Sequence, residues 1–156
     1  MDSLELRRPS AFDQSIGMLV KRAEQAMVRA KGAAVKPVGL TLAQFVALAE
    51  LEPQEGITAA SLARTCLVSP QAMMILLKSM EQQGLIARRT HPRHPNVLEL
   101  HITDVGREAL SGAREAMVPF DRILAESFSE RERTTFRFLL GRFIDAMEES
   151  APAFAD

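Results

Sequence analysis

Apolar residues recur every three or four positions near the start of the chain, at Phe12, Ile16, Leu19, Ala23, Met27, Ala30 and Ala34. This narrow, nearly heptad stripe predicts a helix from about Ala11 to Ala34, ended by Pro37 and Gly39. Thr41-Leu-Ala-Gln44 fits a reciprocal cap, with Thr41 as N-cap and Gln44 reaching back. The helix it opens carries Leu42, Phe45, Val46, Leu48, Ala49 and Leu51, and stops before Pro53, with Gln54-Glu-Gly56 as a loop. From Ile57 to Thr103 the pattern shortens and then changes period. Thr58 to Cys66 reads as a short helix, Leu67-Val68 as a tight connection, and Ser69-Pro70 as the opening of a second helix to about Gln83, stopped by Gly84. Leu85 to Arg89 and Val97 to Ile102 read as two strands, and the proline-broken loop between them holds Arg93. Helical spacing returns after Thr103 with Val105, Ala109, Leu110, Ala113, Met117, Phe120, Leu124 and Phe128; Pro119 should kink or break that helix. Ser129-Glu-Arg-Glu132 is a second capping box, and the last helix carries Phe136, Leu139, Leu140, Phe143, Ile144 and Met147 on one side. Ala151 to Asp156 reads as a frayed tail.

This order predicts a mainly α protein with a small β-hairpin wing. Its plan is a winged helix-turn-helix between long N- and C-terminal helices. We expect a single domain over residues 1–156, with dimerisation helices at 11–36 and 103–149 and a DNA-binding lobe at 40–102. The long terminal helices carry more apolar surface than one small domain needs. Packing only within the monomer's own core is the plainer account. Pairing with a second copy is the favoured one, and a symmetric homodimer sets two recognition helices roughly 34–36 Å apart on palindromic DNA.

Composition narrows the function. The hydrophobic share of 47% and charged share of 25% are those of an ordinary globular protein, and no apolar run approaches the length of a membrane span. Met1-Asp-Ser-Leu-Glu-Leu-Arg-Arg lacks a basic-then-apolar export pattern, and the single cysteine rules out an internal disulfide framework. Both point to the cytoplasm and to no membrane partner. The net charge of -1 hides an uneven distribution: Arg64, Lys78, Arg88, Arg89 and Arg93 face only Glu81 across the middle of the chain. A basic middle with acidic ends suits double-stranded DNA held by one face. No glycine-rich phosphate loop, nucleophile motif or metal-ligand spacing supports an enzyme, and no cofactor is expected. A winged helix that binds protein instead of DNA is the competing class.

Ser69 suits an N-cap, and the helix end it opens can also take a phosphate. Gln71 offers a donor and an acceptor to the adenine edge, and Ala72 can touch a thymine methyl. Met73, Leu76, Leu77 and Met80 share one face and are expected in the core, whereas Met74, Ile75, Lys78 and Ser79 point outward. Lys78 suits phosphate better than a base. Arg88, Arg89 and His91 are candidate phosphate contacts or plain solvated strand residues, and Arg93 is the candidate wing-tip or minor-groove arginine. His91, His94 and His101 are the only histidines; His91 and His101 can approach across the hairpin, but exposed wing residues are a better account of them than a metal site, and their protonation can make DNA affinity depend on pH.

The ordered set of motifs resembles the multiple-antibiotic-resistance regulator (MarR) family of winged-helix transcription factors. Leu40-Thr41-Leu-Ala-Gln44-Phe45 is similar to its second-helix opening, and Ser61-Leu62-Ala63 falls in its first motif helix. Met80-Glu81-Gln-Gln-Gly84-Leu85-Ile86-Ala-Arg88-Arg89 resembles its helix-to-wing junction, and Leu100-His-Ile102-Thr103-Asp-Val-Gly106-Arg107 its return from the wing. Many members carry Asp-x-Arg-Asp-Arg-Arg in the wing, where this chain reads His91-Pro92-Arg93-His94-Pro95-Asn96. Arg93 keeps the central arginine, the histidines replace both aspartates, and a carboxylate buttress for Arg93 does not carry over. The resemblance places Met74 and Ile75 toward DNA and Cys66 at a core leucine position, which favours a small buried hydrophobe over a redox sensor. It also implies repression relieved by a small aromatic or phenolic ligand. Ile16, Val20, Phe45, Leu48 and Met117 are the candidate liners, with plain core packing the preferred account of all five.

Overall fold

The computed structural model describes residues 15–54 and 56–150. Helix α1 (Ile16–Val35) begins at Ser15, whose hydroxyl accepts the Met18 N–H. The expected stretch from Ala11 to Gln14 lies outside the described residues, as does the tail from Ala151. One tight helical turn, Lys36–Val38, follows α1, and Gly39 closes it in the left-handed region at φ 78°. Helix α2 (Leu42–Leu51) starts with the expected reciprocal cap: the Gln44 N–H donates to the Thr41 hydroxyl, and the Thr41 N–H donates to Gln44 Oε1 at 2.9 Å. Gln44 is buried, and its amide nitrogen reaches Ser79 Oγ at 3.5 Å. A cap on one helix thereby also ties that helix to another. Residues expected as a loop start within a second tight turn, Glu52–Gln54, because Pro53 has the right φ and needs no N–H partner there.

Helices α3 (Ala59–Thr65) and α4 (Pro70–Gln82) form the helix-turn-helix, capped by the hydroxyls of Thr58 and Ser69. Gly84 ends α4 at φ 70°. Strands β1 (Ile86–His91) and β2 (His94–Ile102) pair antiparallel from Ile86 opposite Ile102 to Thr90 opposite Leu98. Both reach further into the wing than expected. The register then jumps so that His91 faces His94. Pro95, Asn96 and Val97 fall in that jump, where a proline removes no regular ladder bond. On its other side β2 is tied to the loop before α3: the Gly56 N–H donates to the Leu100 carbonyl, and the Leu100 N–H donates to the Ile57 carbonyl, both at 2.9 Å.

Helix α5 (Asp104–Ser127) runs through Pro119 without breaking. Proline leaves the Glu115 carbonyl without its helical partner, but both residues are exposed and water can serve that oxygen. The molecule divides into two compact units between Met117 and Val118. The first has its core in Val35, Leu48, Leu51, Leu62, Met73, Leu77, Met80, Leu100 and Leu110, all fully shielded from solvent. Leu76, expected with them, is only half-buried. In the second unit α6 (Glu130–Ser150) opens with the expected capping box: the Ser129 N–H donates to Glu132 Oε2 and the Glu132 N–H to the Ser129 hydroxyl. Those bonds to the Ser129 hydroxyl and backbone hold the Glu132 carboxyl below its ordinary pKa. The Arg133 guanidinium donates to the Ala125 and Phe128 carbonyls at the end of α5, and Phe128 stacks on Phe136 with centroids 6.0 Å apart. No residue of α6 is buried.

The tightest joint lies where α4, the hairpin and α5 meet. The Thr103 hydroxyl donates to the Gly84 carbonyl at 2.5 Å and accepts the Gly106 N–H at 3.0 Å, while the Thr103 N–H donates to the Leu85 carbonyl. A methyl group on Gly106 would overlap the Leu85 carbonyl oxygen and sit 2.9 Å from Ile102 Cγ1. By contrast, one on Gly112 would meet only Val38 at ordinary contact distance, 3.5 Å. Gly106→Ala should therefore cost about 3 kcal/mol in urea unfolding. Gly112→Ala in the same helix should be neutral or up to about 1 kcal/mol more stable. Equal effects of the two would remove the close approach at Gly106 as the cause.

Candidate nucleic-acid interface

Ser69, Pro70, Gln71 and Ala72 form the first turn of α4, and all four are exposed. Beyond them the helix divides sharply. Met73, Leu77 and Met80 are fully buried, while Met74, Ile75 and Lys78 face solvent, Ile75 at 74% exposure. Gln71, Met74, Ile75 and Lys78 stand at spacings of three, four and seven, which puts them on one outward stripe. The sequence-predicted readers thus share a surface, backed by a core-facing side that fixes the helix's rotation. The Ser69 cap uses the Ala72 N–H, Pro70 has none, and the Gln71 N–H remains available to an acceptor from outside.

The wing supplies the cations. Arg89 and Arg93 are exposed, Arg93 in the turn between β1 and β2. Arg88 is half-buried, and its Nε lies 3.0 Å from Glu81 Oε1 in an ion pair without the alignment of a hydrogen bond. Arg88 therefore ties β1 to α4. Met74, Ile75, Lys78, Glu81 and Arg88 together line an open hollow between the outward stripe and the wing.

Of the histidines only His94 is the plain exposed residue expected. His91 and His101 are half-buried and converge on one carboxylate: His91 Nε2 lies 3.7 Å from Glu99 Oε1, and His101 Nε2 lies 3.1 Å from Glu99 Oε2. Glu99 was not singled out from the sequence. Hairpin register could have found it, because alternation puts Glu99 and His101 on one face of β2. Among the described residues no group of three or more His, Cys, Asp or Glu side chains could hold a metal ion.

A second feature escaped the sequence. Leu67, in the turn between α3 and α4, has φ 55° and is 92% exposed. Its N–H donates to the Arg64 carbonyl and that of Val68 to the Ala63 carbonyl, which closes α3 with a left-handed residue where glycine is usual. The strain costs about 1 kcal/mol. Cys66, just before it, is half-buried. Burial, and then the Glu50 carboxylate, push its thiol pKa above the ordinary value. Of the candidate ligand liners, Leu48 and Met117 are buried, Val20 and Phe45 half-buried, and Ile16 exposed. The five do not share one environment.

Comparison with known proteins gives this geometry its context. The MarR family model matches residues 38–94, from the start of α2 through the wing tip. The HTH-type transcriptional repressor Rv2887 of Mycobacterium tuberculosis is 35% identical over 131 residues, which cover 83% of this chain and 94% of the relative. The chain belongs to the MarR family. It is a DNA-binding transcriptional regulator. Among solved structures, the transcriptional repressor CouR bound to a 23-mer DNA duplex superposes with a TM-score of 0.80 at 25% identity, covering 88% of this chain and 97% of CouR. Rv2887 in complex with salicylic acid superposes with a TM-score of 0.66 at 29% identity, covering 86% and 99%.

The raised thiol pKa makes Cys66 of this MarR-family protein a poor nucleophile, because the reactive thiolate is scarcer than in a free thiol. Iodoacetamide at about pH 7.5 should alkylate the folded protein more slowly than the same protein in denaturant. Labelling of the folded protein at or above the denatured rate would contradict this environment.

Proposed function

We propose that the protein is a homodimeric repressor of a palindromic operator, with Gln71, Ala72, Met74 and Ile75 facing base edges in the major groove. Ser69, Lys78 and Arg89 meet phosphates, His91 stands behind the wing tip with Nδ1 on the Arg93 N–H and Nε2 toward Glu99, Arg88 braces the wing against α4 and adds positive charge beside the groove, and Arg93 enters the minor groove. The observation that carries this reading is the outward stripe of α4, exposed along its length and flanked by a wing whose free cations are arginines. CouR, which superposes over most of this chain, is seen on a DNA duplex. The apolar pair Met74 and Ile75 suits thymine methyls. It is also the one feature that a protein-binding winged helix would share.

The dimer reading rests on apolar surface that the described residues of one protomer leave exposed. On α1, Ile16, Leu19, Met27 and Val28 are exposed; on α6, Phe136, Phe138, Leu139, Ile144 and Met147 are. A second copy would bury such faces and set the half-site spacing. Release of DNA would follow from a small aromatic acid or phenol that favours a different spacing, and salicylic acid bound to Rv2887 supports that class. Such a regulator performs no catalysis, and it acts where bacterial DNA lies, in the cytoplasm.

Fluorescence anisotropy on a duplex selected from a random library, against scrambled DNA and across a salt series, tests the reading. Wild-type affinity should fall steeply with salt at two protomers per site. Arg93→Ala should weaken binding about tenfold. Gln71→Ala should lower discrimination by about 1–3 kcal/mol while leaving scrambled DNA nearly unaffected. Weak binding that is indifferent to salt would move the protein to the interaction-module class.

A further inference from the structure

The wing tip is held by a backbone-to-side-chain hydrogen bond. The Arg93 backbone N–H donates to His91 Nδ1 at 3.0 Å. To accept it, Nδ1 must present a lone pair, so the proton of the neutral ring sits on Nε2. That nitrogen is the one facing Glu99, 3.7 Å away, and Glu99 is only 16% exposed. The two ends of the imidazole are thus assigned opposite jobs. One holds the backbone of the wing arginine, and the other is oriented by a carboxylate anchored on β2.

We propose that His91 is the positioning residue for Arg93, and that it acts only in its neutral form. Protonation puts a hydrogen on Nδ1, facing the Arg93 N–H donor to donor, and the turn bond is lost. The imidazolium gains attraction to Glu99, which draws the ring toward β2. The charged and titratable groups around it are Glu99 and His101 on β2, His94 with its ring centroid 4.8 Å away, and Arg89 directly across from Glu99. His94, once charged, repels a charged His91. Arg93 is therefore preset while the His91 ring is neutral and released when the ring takes up a proton. The inference rests on the reading of Arg93 as a DNA contact.

Simple electrostatics predicts the opposite trend, since protonated histidines beside phosphates tighten binding as pH falls. The test therefore compares wild type with His91→Asn, whose side-chain oxygen can accept the same N–H two residues on but cannot titrate. Anisotropy on the library-selected duplex from about pH 8 to about pH 5.5 should show equal affinities at high pH. At low pH the wild type should fall about three- to tenfold behind His91→Asn, the worth of one hydrogen bond. His91→Phe should be weak at every pH, and in an Arg93→Ala background the His91 variants should no longer differ.

Nitrogen-15 NMR of the full-length protein reads the bond without DNA. At high pH the His91 Nδ1 should be unprotonated, and the Arg93 amide shift should titrate together with the His91 ring. A ring protonated at Nδ1 at high pH, an Arg93 amide indifferent to His91, or a pH-independent ratio between wild type and His91→Asn would overturn the proposal. An Arg93→Ala protein that binds DNA like the wild type would instead fault the interface reading beneath it. The Arg93 amide shift tells the two failures apart.

Discussion

The Leu85 carbonyl is the point on which the DNA-binding unit depends. The Leu85 N–H donates to the Met80 carbonyl in the last turn of α4, and its carbonyl accepts the Thr103 N–H and hydroxyl at the start of α5. Gly106 passes so close that no side chain fits. Helix α4, the hairpin and α5 are thereby fixed through one peptide group. A hydrogen bond of this kind contributes only about 1 kcal/mol net. Its consequence is geometric: the stripe on α4 and the hairpin beside it cannot rotate independently. The loop before α3 adds a second tie through Leu100, in the middle of β2. A shift of this lobe moves helix and wing contacts together, as a change between two discrete spacings requires.

On that frame the identity of α4's residues divides by face. Met73, Leu77 and Met80 are buried in full and anchor the helix against α2, α3 and the hairpin. Burial of side chains of this size stabilises by about 1.5–3 kcal/mol each, more than any surface contact can offset. The outward stripe is therefore free to be chosen for recognition. Exposed Met74 and Ile75 make no sense as solubilising residues, but they do as partners for an apolar target, and the cations beside them suit phosphate. The mixture of exposed apolar residues and peripheral arginines suits the proposed surface, in which phosphate contacts position and base contacts discriminate.

Much of this was legible in the sequence because local chemistry decides it. Thr41 with Gln44, Ser129 with Glu132, and Ser69 before Pro70 cap their helices as their side chains dictate, and Gly84 stops α4 because the chain must turn left-handed there. What could not be read depends on partners distant in sequence. Pro95 pointed to a broken loop, yet it sits in a register jump where its missing N–H costs nothing. Pro119 pointed to a kink or a break, yet the helix is unbroken, because exposure lets solvent satisfy the freed carbonyl. Leu67 gave no sign of its left-handed backbone, because the requirement comes from the α3–α4 connection and not from leucine. The convergence of His91 and His101 on Glu99 needs the strand register. Capping is a property of four residues, and such clusters are not.

The wing shows how a change of residue type alters a mechanism while keeping its geometry. Where many relatives of this fold place aspartates around the wing arginine, this chain has His91 and His94. A carboxylate can brace an arginine at any ordinary pH, but it brings negative charge to a surface that approaches phosphate. A neutral imidazole holds the Arg93 backbone through Nδ1 without that charge, and leaves the guanidinium free for DNA. The negative charge still needed to orient the ring is placed one step back, on half-buried Glu99, which His101 also contacts. With Arg93 as the proposed DNA contact, the arrangement separates the charge that organises the wing from the charge offered to phosphate. Its cost is sensitivity to protonation, because an imidazole that accepts a hydrogen bond at one nitrogen and faces a carboxylate with the other is pulled in opposite directions by the same proton.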